Sequence, residues 1–150
     1  MIYTPLTNKA MRIAYAAHQG QTDKSGQPYI FHPYHLAEQM TDEISVCVAL
    51  LHDVLEDTDV SLEELEALFP PEVTDTVSLL TRKPEQDYLD YIRAVKKHPA
   101  ARMVKLADLA HNSDESRFAG CEDIADLQTE HMEQLRKRYA EARAILEEEE

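Results

Sequence analysis

The stretch His52-Asp53-Val54-Leu55-Glu56-Asp57 closes an apolar segment and sets an imidazole and three carboxylates beside Val, Leu and Cys side chains. Carboxylates at the C-terminal end of a helix add to the negative end of its dipole. Burying them ionised and unpartnered costs several kcal/mol each, so a compensating cation must be near, either basic side chains or a metal ion. Helical spacing stacks His52 over Glu56 and Asp53 over Asp57, which lets both pairs face one cleft. Asp108 poses the same problem inside the apolar run Met103 to Ala110. Imidazole and carboxylate together suit zinc, manganese or iron, and a set of two His and two Asp leaves room in the coordination shell for water, the reagent of a hydrolase.

The elements that must position these groups read as helices. Glycine is scarce, at three residues, and no stretch alternates apolar and polar residues long enough to argue for a sheet. A first helix is expected from about Leu6 to His18, with Met11, Ala14, Tyr15 and His18 on one side. Gly20 to Ile30 reads as a loop, and Pro33 suits the first turn of a second helix. The third, about Glu43 to Glu56, is apolar nearly all round and is expected to be central and buried. Ser61 with Glu64 forms a capping-box pattern, and Val60 with Leu65 a hydrophobic staple, opening a short fourth helix that Phe69-Pro70-Pro71 ends. Further helices are expected at about Pro71–Leu80, Gln86–Lys97 and Pro99–His111. A last one, about residues 122 to 147, carries Ile124, Leu127, His131, Leu135, Tyr139 and Leu146 as a stripe, which either closes the core or serves a homo-oligomer.

Composition narrows the function classes. The 150 residues, 29% charged and 43% hydrophobic, match one ordinary globular domain, so residues 1–150 are read as a single unit. The longest apolar run, Val46 to Leu51, is far short of the roughly 20 residues that cross a bilayer. The N-terminus has neither a basic start nor an apolar signal core, so a cytoplasmic location without membrane attachment is expected. Cys47 and Cys121 are expected to stay reduced. A formal charge of −14 repels duplex nucleic acid, whereas a small phosphate ester could be held where a bound cation reverses the local field.

Four separated motifs carry a resemblance. His18-Gln19-Gly20-Gln21, Ser25-Gly26-Gln27-Pro28-Tyr29-Ile30-Phe31-His32-Pro33, Ala49 to Thr58 (ALLHDVLEDT) and Val104-Lys105-Leu106-Ala107-Asp108 resemble, in order and spacing, the HD hydrolase domain of RelA/SpoT-type ppGpp hydrolases. Among these the free-standing small alarmone hydrolases are the nearer comparison. The resemblance implies an all-α, single compact HD-domain helical bundle, with a motif-bearing core over about residues 6–113. It also implies that His32, His52, Asp53 and Asp108 bind one divalent ion, usually manganese, with iron, cobalt or zinc as alternatives. Glu56 and Asp57 match the acidic pair that handles protons at the attacking water and the leaving phosphate. Lys24 and Asn112 match positions near bound nucleotide. The implied reaction removes pyrophosphate from the 3′ position of a guanosine alarmone.

The departures concern the substrate. Asp23 stands where a basic residue is usual before Lys24, Leu109 where an arginine follows the motif aspartate, and Ser113-Asp114-Glu115-Ser116 where another arginine is usual. With three positive charges missing, each worth about 1–3 kcal/mol of substrate contact, the rival within the enzyme class is a phosphohydrolase acting on another nucleotide or phosphate ester. The rival outside it is a non-catalytic regulatory HD module. His18 and His111 are expected to pack or to orient neighbours.

Overall fold

In the computed structural model, which describes residues 1–121 and 129–148, the apolar third segment becomes the axis around which the other helices assemble. Asp42 caps it, accepting from the Ser45 backbone N–H at 2.8 Å. The helix that follows, α3 (Glu43–Leu51), is buried continuously from Ser45 to Leu51. A helix apolar on every side must be covered on every side. Its cover comes from α1 (Pro5–Ala17), α2 (Phe31–Glu38), α6 (Pro71–Leu80) and α8 (Pro99–Asn112). Thr7, Ala10 and Ala14 are the buried face of α1. Their small side chains let that helix approach closely. Tyr15, expected on the same side, is 59% exposed, because a residue next to Ala14 points about 100° away from it.

One continuous helix over Glu43–Glu56 is not what forms. It stops at Leu51, and a single turn, α4 (Val54–Asp57), restarts after Asp53, whose φ of −103° and ψ of 0° depart from regular helix values. The Asp57 N–H still reaches the Asp53 carbonyl at 3.0 Å, a helical bond across the restart. The break has a physical reason: adjacent residues of a regular helix diverge by about 100°, and here both His52 and Asp53 turn toward one point.

The next elements run as α5 (Leu62–Leu68), α6 and α7 (Tyr88–Lys96). The Ser61 hydroxyl accepts from the Glu64 N–H at 3.2 Å, the half of the capping box in which the hydroxyl takes the N–H. Val60 packs against the core to which the buried Leu65 belongs. The His98 ring caps α8 by accepting from the Ala101 N–H at 3.3 Å, and a 3-10 helix spans Glu115–Phe118. The last helix, α9 (Glu130–Glu147), starts from a Thr129 cap and packs on α7 and α8. It buries Met132, Ala142 and Leu146, while His131 is exposed. The part of the expected stripe at Ile124 and Leu127 lies outside the described residues.

The fold is all-α. Among the described residues there is no strand, only an isolated antiparallel bridge between Thr22 and Pro28, and no helix is long and apolar enough to cross a membrane. Cys47 and Cys121 are both free thiols.

Leu50→Ala, at a fully buried position of α3, will lower the unfolding free energy by about 2–5 kcal/mol, read as a lower urea midpoint at unchanged slope. Burial, with the Glu43 charge adding to it, pushes the Cys47 thiol up to about 12. A thiol reagent at neutral pH will therefore leave Cys47 untouched until the protein unfolds and will modify the half-buried Cys121 first.

Candidate metal centre and adjoining cleft

His32 lies in the first turn of α2, His52 caps the C-terminus of α3, Asp53 follows in the break, and Asp108 lies in the penultimate turn of α8. One donor atom from each falls within a cluster no wider than 4.8 Å. His32 Nε2 sits 2.9 Å from Asp108 Oδ1 and 3.9 Å from Asp53 Oδ2; His52 Nε2 sits 2.9 Å from Asp53 Oδ2 and 3.6 Å from Asp108 Oδ1.

The surrounding hydrogen bonds aim these atoms inward. His52 Nδ1 donates to the Ala49 carbonyl at 2.6 Å, which leaves Nε2 facing the carboxylates. Although only 2.9 Å from one of them, that nitrogen is buried and makes no hydrogen bond. A buried polar atom without a partner is rare, and two imidazoles and two carboxylates converging on one point are a donor set for a divalent cation. His32 Nδ1 lies 2.7 Å from His111 Nδ1, the outer hydrogen bond that orients a metal-binding imidazole. The Tyr29 hydroxyl donates to Asp53 Oδ2. Lys105 Nζ donates to Asp108 Oδ2 at 2.8 Å and rests over the Tyr91 ring. The Asn112 amide donates to Asp108 Oδ1 at 3.1 Å.

Charge in the cluster follows from burial against pairing. Burial opposes ionisation of Asp108, yet Lys105, His32 and His52 outweigh it and hold its pKa well below the usual carboxylate value. Burial opposes a charge on His52 as well, and Asp53 with Asp108 overcome it, raising its pKa well above that of free imidazole. Glu56 and Asp57 behave differently. Burial raises both, and the Asp53 charge adds to each, while the Arg82 N–H opposes the shift at Glu56. Glu56 Oε1 accepts that N–H at 2.5 Å, and the Asp57 carbonyl accepts from the Gln21 amide at 2.8 Å.

Beside the cluster a cleft of about 240 Å³ is lined by His32, Lys24, Asn112, Tyr29, Arg117 and Tyr139 among others. The structure thus brings Lys24 and Asn112 to the same opening as His32. Glu56 and Asp57 lie outside that lining. Asp23 is not a bare negative charge in this wall: Arg117 Nη2 sits 2.9 Å from it. Leu109 is core, and Asp114 caps the 3-10 helix by accepting from the Ser116 N–H at 3.1 Å.

Sequence reading gave no role to Tyr29, Lys105 or Arg117. Lys105 was detectable, because it stands three residues before Asp108 on one helix. The Arg117–Asp23 contact joins residues 94 apart, and no spacing rule reaches that far.

The metal-free protein will be most stable between about pH 4 and 6.5 as far as this cluster decides. The depressed Asp108 contributes above the free carboxylate value and is lost as pH falls through its folded pKa; the raised His52 contributes below about 6.5 and is lost as pH rises through its own. Loading a divalent cation at pH 7 must displace the His52 proton. Calorimetry of manganese binding in buffers of different ionisation enthalpy will read about one proton released, and His52→Ala/Asp53→Ala will show no saturable binding.

A family model described as HD domain matches residues 10–138. Over 122 residues the chain is 34% identical to GTP pyrophosphokinase rsh of Brucella melitensis, covering 71% of this chain and 16% of that one. It is also 34% identical over 119 residues to the bifunctional (p)ppGpp synthase/hydrolase SpoT of Escherichia coli, covering 69% and 17%. The chain spans about a sixth of the length of these curated relatives. A solved structure of a metazoan ortholog of SpoT, described as hydrolysing ppGpp, superposes with a TM-score of 0.73 at 24% identity, over 97% of this chain and 85% of that one, and shares the fold. HD domains bind divalent metals, and the family match runs from α1 into α9 and encloses all four clustered side chains. The chain belongs to the HD-domain family.

Proposed function

We propose that the chain is a metal-dependent phosphohydrolase that removes pyrophosphate from the 3′ position of a guanosine alarmone such as ppGpp, the nucleotide that the SpoT relatives act on. The observation that carries the reading is the orphaned, buried Nε2 of His52 facing two carboxylates. His32, His52, Asp53 and Asp108 would hold one divalent ion, manganese first among those the donors suit. When bound, such an ion supplies Lewis acidity toward a phosphoryl oxygen and acidifies water.

The remaining chemistry belongs to the chain. Glu56 and Asp57, raised toward neutrality by burial, take a proton from the attacking water and return one to the leaving group. Tyr29, whose phenol is pushed up by burial and by Asp53, keeps its proton and fixes Asp53 as an acceptor. Lys105 anchors the outer oxygen of Asp108 and offsets one of the two buried negative charges. Lys24 and Asn112 stand in the cleft where a nucleotide's phosphates and ribose would lie.

A less highly charged nucleotide or phosphate ester is the second reading. It is favoured by the pairing of Arg117 with Asp23, which leaves that wall of the cleft near neutral.

With manganese added, the parent will release pyrophosphate from ppGpp, and His52→Ala/Asp53→Ala will not. Glu56→Gln and Asp57→Asn will each lower kcat by about 10²–10⁴-fold while still binding manganese in calorimetry. Turnover confined to other nucleotides would favour the second reading, and silence across a phosphate panel would favour a regulatory HD module.

A further inference from the structure

Arg117 and Asp23 line both the 240 Å³ cleft beside the metal cluster and an open hollow of about 490 Å³ on the other side, so the pair forms the wall between them. The Arg117 guanidinium is pinned by its edges. Nη1 donates to the His111 carbonyl at 2.9 Å and Nη2 to Asp23 Oδ2 at 2.9 Å. Asp23 is itself fixed: its other oxygen accepts from the Ser25 N–H at 2.9 Å, the Ser25 hydroxyl at 2.6 Å and the Gln27 N–H at 3.0 Å.

Hydrogen bonds to a guanidinium lie in its plane, so one held at both terminal nitrogens presents its flat faces. Tyr139 and Phe118 line the same cleft. The Asp23 oxygens, occupied by four donors, are poorly placed to read the N–H pattern of a base. Lys24, in the same lining, has no carboxylate within 4 Å among the described residues, and its Nζ meets only the Met132 sulfur at 3.8 Å. The cleft therefore has a cation for phosphate and an immobilised planar group for something aromatic.

We propose that Arg117, clamped by Asp23 and the His111 carbonyl, is the stacking platform for the substrate's nucleobase, and that the site takes nucleoside phosphates with little discrimination between bases. The proposal rests on the nucleotide reading above and assigns the base-contacting residue within it. Stacking tolerates base identity because every base has a π-face.

The test is equilibrium binding of GDP, ADP and ribose 5-phosphate to the manganese-loaded chain by calorimetry. GDP and ADP are expected to bind within about threefold of each other, and ribose 5-phosphate at least about tenfold more weakly. Arg117→Ala should weaken GDP and ADP by about tenfold and leave ribose 5-phosphate unchanged. Arg117→Lys, which keeps the charge and loses the plane, should bind GDP as weakly as Arg117→Ala, and it decides the matter if the alanine variant does not fold. Recovery of GDP binding in Arg117→Lys, an equal loss for ribose 5-phosphate, or strong preference for one base would overturn the platform. Unchanged GDP binding in Arg117→Ala, in a parent that hydrolyses ppGpp, would overturn the platform and leave the hydrolase standing. A parent that neither binds these nucleotides nor turns over ppGpp would remove both.

Discussion

Asp53 and Asp108 stand close together in a largely dry interior, and most of the architecture near them can be understood as the means of making that tolerable. Two ionised carboxylates repel each other strongly at low dielectric, and burial pushes both toward protonation. They remain acidic because His32, His52, Lys105, Asn112 and Tyr29 each direct a nitrogen or a hydroxyl at one of their oxygens. Lys105 and Asn112 come from α8 itself, and the others from the loop before α2, from α2 and from the end of α3. The interrupted helix after Leu51, the ring pair of His32 with His111, and the placement of Lys105 over Tyr91 are local answers to that one electrostatic demand.

The same demand explains the layout of α3. A helix buried on all sides gives its terminal residues a fixed position, set by packing against α1, α2, α6 and α8. Side chains at its end inherit that rigidity, which suits groups that must converge within fractions of an ångström. Glu56 and Asp57 follow one turn later, where exposure returns, so their carboxyls sit between the dry cluster and solvent. Two pairs of ionisable residues separated by a single turn thus meet opposite environments, one driven toward full charge and the other toward neutrality.

Much of this was legible in the sequence because it is local. Helix positions followed from apolar spacing, and the cap at Ser61 is a side chain acting on a backbone N–H three residues on. The buried acids announced themselves as charges in apolar runs. What could not be read were the features decided by tertiary geometry. Propensity favoured an unbroken helix through His52-Asp53, and only the convergence of both side chains explains its interruption. Tyr15 joined the apolar stripe by type but faces solvent, since α3 accepts small residues there. Asp23 read as a lost positive charge because its partner Arg117 lies in a 3-10 helix far along the chain.

His32 and Asp108 are 76 residues apart and touch at 2.9 Å, which makes their meeting a closure of half the chain. In a protein whose two cysteines are free, it fastens distant segments of the folded state, although it places none of a disulfide's restriction on the unfolded chain. Unlike a disulfide it is reversible on the timescale of ligand exchange, and its strength is set by whatever proton or cation occupies the four side chains. The rigidity of the bundle is therefore a quantity the surroundings can tune, and solution composition becomes part of the fold.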